Sequence, residues 1–384
     1  MRIRKSLCGA LALIMGFSML CSACNKEEAK GGKEPMPTFT VTEFRGPIRL
    51  VSESVFSYLE ASPDAGVSNF LDGDAMNRTD RSKPISVSYT WENGAEPAVQ
   101  SANVEFSLTE DFSVIERTET FKEGKSSCAV YNLQTGAQYY FRINVTLENG
   151  DVITNQGGLE TEKSPRMLFL DGGNNARDIG GWKTESGKVI KQGVLYRGSE
   201  IDGGKNTGHV DFCLTTTGIE QLRALGIKTD FDLRAESVKV SEYSVLGEDV
   251  ERTFYNAYHY QSALTAEAAP TTSKIFKDLA KPEKYPVYLH CTHGVDRAGT
   301  AVFILEARLG VSEDDLIRDY ELSAFYYNYA HVHRNMNNGG TIMGLLEELK
   351  KYEGESLSAK TANFLQSIGV TTEEIDSIRK IFLG

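Results

Sequence analysis

The stretch that decides the fold in the second half of this chain is residues 290–300, with the sequence HCTHGVDRAGT. Ahead of it, residues 285–289 are a short apolar run rich in strand-forming residues, with a proline near the start. Behind it, residues 301–309 are apolar on almost every side, which predicts a buried helix. The sequence therefore predicts a strand, a loop with two glycines, and a helix that begins where the loop ends.

This arrangement is suited to holding an anion. The first amides of a helix have no partner within the helix and point outward, where the helix dipole adds positive charge. A cysteine beside such amides is expected to be a thiolate at neutral pH, which makes Cys291 a candidate nucleophile. Arg297, six residues later, can bind the same anion with two parallel hydrogen bonds. Together these groups predict phosphoryl transfer through a cysteinyl-phosphate.

A His-Cys pair followed, after five residues, by arginine resembles the signature of the cysteine-dependent protein tyrosine phosphatase superfamily. Three more stretches resemble landmarks of its bacterial tyrosine/serine-type branch, in the order of that family: residues 175–181, 187–198 and 232–236. The resemblance covers about residues 164–384. It implies an α/β domain that acts on a phosphorylated protein or a small phosphomonoester, with no cofactor and no metal.

The interleaved strand and helix patterns of residues 164–384 also predict a mainly parallel sheet flanked by helices. Such sheets place functional sites at the carboxyl ends of their strands, where Cys291 falls. Capping patterns at Ser312 and Thr371 predict two of the helices near the C-terminus.

The resemblance implies roles for the residues of the loop. Cys291 attacks phosphorus, Arg297 binds the phosphate oxygens, and His290 orients the loop through hydrogen bonds. Arg177 and Asp178 are candidates for supporting the pocket, with simple structural pairing as the alternative. The predicted phosphate-binding residues are Thr292, His293, Gly294, Val295, Asp296 and Arg297.

The general acid has three candidates. A positioned acid contributes about 10²–10⁴-fold to such a reaction. Most relatives take an aspartate from a loop ahead of the cysteine, but residues 254–261 contain none. Asp296 is the first candidate, because one branch of the family ends its loop in Asp-Arg. Asp232, at the end of a predicted strand, is the second, and His259 is the third. Alternatively, Asp296 only orients a neighbouring basic side chain.

Two residues depart from the family pattern. Ala298 stands where the family usually has a hydroxyl residue that stabilises the leaving thiolate, so hydrolysis of the phosphoenzyme is expected to be slow unless Thr300 substitutes. Val295 stands where relatives that act on phosphoinositides tend to carry lysine, which favours phosphotyrosine-like substrates. The alternatives are a phytate or phosphoinositide phosphatase, and a pseudophosphatase that binds phosphorylated ligands without turnover.

The N-terminus predicts export. Basic residues precede an apolar core at 11–20 that is too short for a stable membrane span, as is typical of a secretory signal. Cys24 resembles the lipidated cysteine of bacterial lipoproteins, with Cys21 as the alternative, which gives a signal over 1–23 and a tether over 24–37. We expect a lipid anchor in the cell envelope, at the outer membrane. The acidic residues after Cys24 are either a signal for surface exposure or a solvated tether.

Residues 38–163 predict an all-β domain. Three segments alternate with the two-residue period of a half-buried strand, at 85–91, 102–108 and 139–145. With turn signals and no helical pattern between them, these segments predict a β-sandwich, and residues 133–142 resemble a fibronectin type III strand. We expect an immunoglobulin/fibronectin-like domain that is a spacer or docking module, or one that binds carbohydrate or protein.

The amino-acid composition limits the kinds of binding partner, disulfide and metal site that the chain is expected to have. The chain has 41 Lys and Arg against 53 Asp and Glu, a net charge of −12, which argues against nucleic acid or an anionic membrane surface. With Cys8, Cys21 and the lipidated Cys24 set aside, three cysteines remain in the folded part, Cys128, Cys213 and Cys291, and this odd number predicts no disulfide framework. His331 and His333 lack a third ligand at suitable spacing and predict a surface or packing role.

Overall fold

The computed structural model of the protein describes residues 36–71, 82–203, 213–238, 241–326 and 331–384. Residues Thr38–Gly384 form one compact unit. The predicted signal peptide, the predicted lipidation site Cys24 and nearly all of the predicted tether lie outside the described residues. No helix within the described ranges is both long and apolar enough to cross a membrane.

The N-terminal region, residues 38–163, is rich in β structure. Its strands form two antiparallel sheets, one in the order β1-β2-β5 and one in the order β4-β3-β6-β7. The elements are β1 (Phe39–Val41), α1 (Glu53–Glu60), β2 (Ile85–Trp91), β3 (Val99–Ser107), β4 (Arg117–Thr120), β5 (Ser127–Val130), β6 (Gln138–Leu147) and β7 (Val152–Glu160). The strand predicted at residues 85–91 is confirmed with the same bounds.

Both sheets contribute side chains to one hydrophobic cluster. Every second residue of β6 is buried, as the alternating sequence predicts, and Phe141 from this strand packs against Phe106 of β3 at 5.8 Å between ring centroids. Phe39 of β1 packs against Tyr89 of β2 at 5.3 Å. The β-rich character of this region is confirmed, whereas its assignment to the immunoglobulin/fibronectin class stays a prediction.

A helical segment interrupts the strand pattern of the N-terminal region. Helix α1 begins after Ser52, whose side chain accepts a hydrogen bond from the Val55 amide, and a short 3-10 helix, Val67–Phe70, follows it. The expectation that residues 38–163 are all β is wrong for this segment. Val55 and Tyr58 do not join the core of the β sheets. They are buried in the hydrophobic cluster that also contains Cys291.

The C-terminal region, residues 164–384, is an α/β structure. Its sheet has the order β11-β10-β12-β9-β8, in which β11, β10, β12 and β9 are parallel and β8 is an antiparallel edge strand. The strands are β8 (Arg177–Asp178), β9 (Leu195–Gly198), β10 (Thr229–Asp232), β11 (Glu251–Phe254) and β12 (Val287–His290). The predicted mainly parallel sheet with flanking helices is confirmed.

Seven helices of the described chain flank this sheet or cover its ends. They are α2 (Thr216–Arg223), α3 (Ala269–Leu279), α4 (Asp296–Leu309), α5 (Glu313–Glu321), α6 (Ile342–Lys350), α7 (Leu357–Ser367) and α8 (Thr372–Leu383). Ser312 caps α5, and Thr371 forms a full capping box with Glu374 at α8, as their sequences predict. From Ala298 to Leu309, every residue of α4 is buried, which confirms the predicted buried helix.

The register of the sheet brings the carboxyl ends of three strands together. His290, the last residue of β12, lies opposite Asp232 of β10 on one side and Gly198 of β9 on the other. The loop that follows His290 therefore emerges between the ends of β9 and β10. Side chains from both neighbouring strands can reach it.

Candidate active site

The centre of the site is the loop between β12 and α4. The Cys291 thiol is almost fully buried, and its Sγ accepts a hydrogen bond from the Gly294 amide at 3.2 Å. Helix α4 begins at Asp296, and the residue before it, Val295, supplies no side-chain cap. The amides at the start of α4 are therefore free of a capping side chain, and such amides are suited to binding an anion.

Gly294 is required by the path of the loop. Its φ of +72° is a left-handed conformation that side-chain-bearing residues rarely adopt. A Cβ atom at this position would lie 2.5 Å from the carbonyl carbon and oxygen of Gly198 at the end of β9. The loop can therefore pack against the end of β9 only with glycine here.

Buried side chains outside the Cys291 loop donate hydrogen bonds to its backbone carbonyls. Arg197 donates to the Gly294 carbonyl at 2.8 Å, and Asn175 donates to the His293 carbonyl at 3.1 Å. Arg177 in turn donates to the Asn175 side chain at 2.7 Å. In a trans peptide the carbonyl and the following amide point in opposite directions, so holding these carbonyls outward turns the following amides toward the Cys291 thiol.

Asp319 of α5 joins these two arginines. Its carboxylate accepts from Arg177 Nε at 3.0 Å and from Arg197 Nη1 at 2.7 Å, and all three side chains are fully or nearly fully buried. Burial alone would raise the pKa of Asp319, but the two guanidinium groups outweigh burial and lower it. The triad is therefore charged, and it fixes the arginines that hold the loop. We name Arg177, Arg197, Asn175 and Asp319 the loop clamp.

Asp178 faces away from this clamp, because it is the residue after Arg177 in β8. Its carboxylate accepts from Arg166 at 3.0 Å and from the amides of Gly180 and Gly193 at 2.8 and 2.7 Å. Of the two supporting residues predicted from sequence, Arg177 belongs to the loop clamp. The alternative of simple structural pairing describes Asp178.

A second charged cluster lies on the β10 side of the loop. His290 bonds through Nε2 to Asp230 Oδ1 at 2.9 Å and is fully buried. Burial alone would lower the pKa of His290, but Asp232 and Asp230 together raise it. Arg252 of β11 donates to Asp232 at 2.7 Å and to the backbone carbonyl of Tyr243, which lies between β10 and β11, at 3.2 Å. His290 is thus held by Asp230 at the end of β12, and its orienting role stays a prediction.

Asp232, the second candidate acid, is buried within this cluster. It accepts from Arg234 Nε at 2.9 Å, from Arg234 Nη2 at 2.7 Å and from Arg252 Nη2 at 2.7 Å. Burial alone would raise the pKa of Asp232, but the charge of His290 and the hydrogen bonds from Arg234 bring it well below its usual range. An aspartate that stays ionised cannot deliver a proton, so this geometry favours an anchoring role.

Asp296 has different neighbours. Its Oδ1 accepts from the Tyr260 hydroxyl at 2.5 Å, and its Oδ2 accepts from the Asn338 side chain at 3.2 Å. Asp296 is half-buried at the start of α4, one residue before Arg297. Both donors are neutral, and their hydrogen bonds orient the carboxyl group. His259, the third candidate, contacts the Asn338 carbonyl through Nε2 at 3.0 Å.

The remaining predicted residues lie around the loop. Arg297 is half-buried and its Nη1 donates to the Leu233 carbonyl at 3.5 Å, while no ion pair with a described residue occupies its guanidinium. The Thr292 carbonyl accepts from the Glu200 amide at 3.1 Å. Ala298 is fully buried, and the Thr300 hydroxyl oxygen accepts from the Tyr260 amide at 2.7 Å. Thr300 therefore holds the Tyr260 segment in place.

Sequence reasoning missed several residues of the site, including Asn175 and Arg197 of the loop clamp. Tyr260 lies in the stretch searched for an aspartate, and Asn338 lies in an irregular segment near the C-terminus. Arg252 and Asp319 sit in ordinary-looking strand and helix sequences, where no local signal distinguishes them. Each becomes part of the site only because the fold brings it there.

Comparison with known proteins identifies related chains. A model of the tyrosine phosphatase family matches residues 168–384. A Cupriavidus necator protein that is provisionally named a tyrosine-protein phosphatase is 25% identical over 185 residues, covering 40% of this chain and 61% of the relative. A tyrosine-protein phosphatase of Nostoc commune is 26% identical over 135 residues, covering 29% of this chain and 46% of the relative. This chain thus matches less than two thirds of the length of either relative.

Proposed function

The chain belongs to the tyrosine phosphatase family, and from that premise we propose that it hydrolyses phosphomonoesters through a cysteinyl-phosphate. The observation that supports this most directly is the hydrogen bond from the Gly294 amide to Cys291 Sγ. An amide aimed at the sulfur stabilises a thiolate, and the carbonyls held by the loop clamp turn neighbouring amides toward the same space. These are the requirements of a nucleophile placed beside an anion cradle.

In the first step the Cys291 thiolate attacks phosphorus, so that a P–S bond forms and the P–O bond to the leaving group breaks. Arg297 and the loop amides bind the nonbridging oxygens, whose charge they offset in the transition state. Asp296 delivers its proton to the departing oxygen. This proton matters most for leaving groups that are poor anions, such as an alkoxide.

In the second step water attacks the phosphorus, the P–S bond breaks, and Cys291 leaves as the thiolate. The Asp296 carboxylate accepts the proton of the attacking water, which restores the starting state. Inorganic phosphate is then released. The Gly294 amide supports the departing thiolate, in place of the hydroxyl that the family usually has at the position of Ala298.

The charge around the loop supports a substrate with a single phosphate. Arg177, Arg197, Arg234 and Arg252 are paired with buried carboxylates and are not free to bind further phosphates. Within the described residues, Arg297 is the arginine of the site without such a pair. We therefore favour phosphotyrosine-like monoesters over phytate or phosphoinositides. A panel of phosphotyrosyl peptides, inositol phosphates and phosphatidylinositol phosphates tests this choice, and preferential turnover of the polyphosphates would reverse it.

Substitution of the nucleophile tests the mechanism. Cys291→Ser is expected to lower the hydrolysis of p-nitrophenyl phosphate to background, because a serine hydroxyl at this position is a far weaker nucleophile. Cys128→Ser is the matched control: this free cysteine of β5 lies in the N-terminal region, and burial raises the pKa of its thiol to about 12. Full activity of Cys291→Ser would exclude cysteine catalysis.

A second candidate function is phosphate binding with very slow turnover. Ala298 supports it, since no hydroxyl stands directly after Arg297, and the hydroxyl oxygen of Thr300 already accepts from the Tyr260 amide. Rapid-quench trapping measures the phosphoenzyme: accumulation would show that its hydrolysis limits the rate. Ala298→Thr should then speed the second step. An unchanged rate would contradict the role given to Ala298.

We also propose that the protein is exported and anchored to the outer membrane through a lipid on Cys24. The support is the basic start, the apolar core and the small residues before Cys24. Labelling with a radioactive fatty acid and fractionation of the cell envelope test it, with Cys24→Ala as the comparison. Labelling that persists in Cys24→Ala would move the anchor to another residue, Cys21 being the alternative.

The N-terminal region is proposed to be an immunoglobulin/fibronectin-like sandwich that serves as a spacer or docking module. Two antiparallel sheets with a common aromatic core support this, as does the Tyr139 hydroxyl, which accepts from the Gln134 amide at 2.9 Å. In such sandwiches the two sheets pack with their strands about 30° apart. An experimental structure with the sheets crossed near a right angle would exclude this class.

A further inference from the structure

The helical segment of the N-terminal region, residues 53–70, packs on the C-terminal region. Val55, Tyr58 and Val67 are buried in the hydrophobic cluster of the α/β structure. The ring of Tyr58 lies 5.7 Å from the ring of Phe325, which follows α5. This segment comes from the half of the chain without catalytic residues, yet it shares a core with Cys291.

A buried carboxylate links this segment to another part of the chain. The Tyr58 hydroxyl donates to Glu321 Oε2 at 2.5 Å, and Glu321 is fully buried at the end of α5. Arg334 donates to the same carboxylate twice, from Nη2 at 2.7 Å and from Nε at 3.0 Å. The backbone amide of Arg334 adds a third hydrogen bond to it at 2.8 Å.

The same arginine also binds the backbone of the helical segment. Arg334 donates to the Pro63 carbonyl at 2.9 Å and to the Ala65 carbonyl at 3.4 Å. Arg318 of α5 donates to the carbonyls of Ala61, at 2.6 Å, and Leu59. These bonds satisfy the carbonyls at the end of α1 and in the turn after it, which lack partners within the helix. Two arginines thus tie residues 59–65 to the α/β structure.

Arg334 belongs to a short irregular segment, residues 331–340, which we call the wall segment. Four residues after Arg334, the side chain of Asn338 donates to Asp296 Oδ2 at 3.2 Å, and its carbonyl contacts His259 Nε2 at 3.0 Å. Local hydrogen bonds stiffen the segment: the Met336 amide donates to the His333 carbonyl at 2.8 Å. One end of the wall segment thus contacts residues 58–65, and the other contacts the candidate acid.

We propose that residues 53–70 are a working part of the active site, in which Tyr58 and Arg334 act as positioning residues for Asp296. The order of contacts is Tyr58 to Glu321, Glu321 to Arg334, and Arg334 through the wall segment to Asn338 and Asp296. The inference rests on the proposed function, because it assigns a step to the same Asp296. The N-terminal region is then more than a spacer, because its helical segment helps to position the general acid.

The proposal predicts a particular kinetic signature. A displaced general acid slows the departure of poor leaving groups, whereas good leaving groups depart without a proton. A small displacement caused by a distant substitution can cost about 100-fold. Because only one of the two donors to Asp296 is affected, we expect a loss of about tenfold, confined to poor leaving groups. Binding of phosphate itself should not change.

The test uses the full chain and a series of aryl phosphates whose leaving phenols differ in acidity. The measured quantity is kcat/KM, which reports the step in which the leaving group departs, and its slope against the pKa of the phenol. Arg334→Met and Tyr58→Phe should steepen this slope, with about tenfold and about threefold losses for phenyl phosphate. Losses for dinitrophenyl phosphate should stay below about twofold, and inhibition by inorganic phosphate should be unchanged.

Matched controls separate positioning from general loss of packing. Tyr255→Phe removes a buried hydroxyl that donates to the Asp278 carboxylate at 3.0 Å. Arg308→Met removes a buried guanidinium that donates to Ser358 at 2.8 Å. Neither has a described contact with Asp296 or the wall segment. Both should keep the slope of the wild-type protein.

Several results would overturn the proposal. If Arg334→Met and Tyr58→Phe keep the wild-type slope, the helical segment does not position the acid. Equal losses for all substrates, with weaker inhibition by phosphate, would mean that the segment only supports the fold. A wild-type protein without Cys291-dependent turnover would remove the proposed function and this inference together. The first two results leave the proposed function intact.

Discussion

Two aspartates at the carboxyl edge of the same sheet have opposite surroundings. Asp232, at the end of β10, accepts from the guanidinium groups of Arg234 and Arg252 and is fully buried. Asp296, at the start of α4, is half-buried and accepts from a tyrosine hydroxyl and an asparagine amide. The residue type and the position relative to the Cys291 loop are similar. The charge of the neighbours differs.

This difference shows how the fold divides two roles between identical side chains. Cations around a buried carboxylate stabilise the ionised form, and the pKa of Asp232 is accordingly well below its usual range. Such a group anchors its neighbours but holds no proton at neutral pH. Neutral donors also stabilise a carboxylate, but more weakly than guanidinium groups do. The described contacts of Asp296 include no guanidinium group, which favours Asp296 over Asp232 as the proposed acid.

The largest effect is expected from Asp296→Asn. The amide keeps the shape of the side chain but cannot deliver a proton, so kcat/KM for phenyl phosphate should fall about 10²–10⁴-fold. A substrate with a good leaving group should lose much less. Steady-state kinetics with both substrates check this, and Asp232→Asn is the comparison. A loss of less than about tenfold in both variants would exclude both aspartates as the acid.

Asp232→Asn is expected to act mainly on stability. It removes a buried charge that Arg234 and Arg252 share, and breaking such a pair costs about 3–5 kcal/mol. Urea unfolding should show the loss in the free energy of unfolding, while the dependence of kcat/KM on the leaving group stays that of the wild-type protein. A steeper dependence would give Asp232 a part in proton transfer and remove the contrast.

A smaller effect is expected from Tyr260→Phe, which removes one of the two donors to Asp296. A single hydrogen bond contributes about 0.5–1.5 kcal/mol, so kcat/KM for phenyl phosphate should fall about threefold to tenfold. Tyr320→Phe is the matched control, since the Tyr320 hydroxyl contacts only the Tyr260 hydroxyl, at 2.7 Å, among its described side-chain hydrogen bonds. Equal losses in both variants would mean that the tyrosine pair supports packing rather than the acid.

The smallest effect is expected at Glu306, a carboxyl group whose surroundings differ from those of both aspartates. Both oxygens of Glu306 in α4 are buried, and neither has a hydrogen-bond partner among the described residues. Burial first, and then the negative charge of Asp319, raise the pKa of Glu306 well above its usual value. The folded protein therefore keeps a proton that the unfolded chain releases above about pH 4.3.

The sign of the pH dependence follows from this difference. The proton on Glu306 contributes fully to the free energy of unfolding below the pKa of the unfolded chain. That contribution declines as the pH rises toward the pKa of the folded protein. Glu306→Gln has no proton to lose, so its free energy of unfolding should improve relative to the wild-type protein from pH 5 to pH 8. Urea unfolding at several pH values measures this. A difference that does not vary with pH would show that Glu306 is ionised in the folded protein.

How much could be predicted from sequence depended on whether the signal was local. The strand, the loop and helix α4 follow one another without interruption, and Gly294 marks the left-handed turn between them. That stretch therefore specified its own geometry. Helix α1 was missed because its eight residues bury only Val55 and Tyr58, too few for a helical period to stand out. The capping residue Ser52 was the signal that could have found it.

The partners of the loop could not be predicted in the same way. Asn175, Asp319 and Asn338 come from three separate parts of the chain, and each is an ordinary polar residue in its own neighbourhood. Their roles arise from the strand order β11-β10-β12-β9-β8 and from the packing of α5 and the wall segment. Contacts of this kind depend on distance in space, which a linear pattern does not contain.

The amino-acid sequence alone predicted the family, which the family match confirms, and it singled out Cys291 and Arg297 as candidates, because a loop of this kind is built from consecutive residues. Only the folded structure shows that cations contact Asp232 whereas neutral donors contact Asp296, and this favours Asp296 as the proposed acid. It also shows that residues 53–70 pack in the hydrophobic core that contains Cys291, where Tyr58 and Arg334 meet at Glu321 only after folding. Chemistry within the loop is local, whereas the placement of the acid is a property of the whole fold.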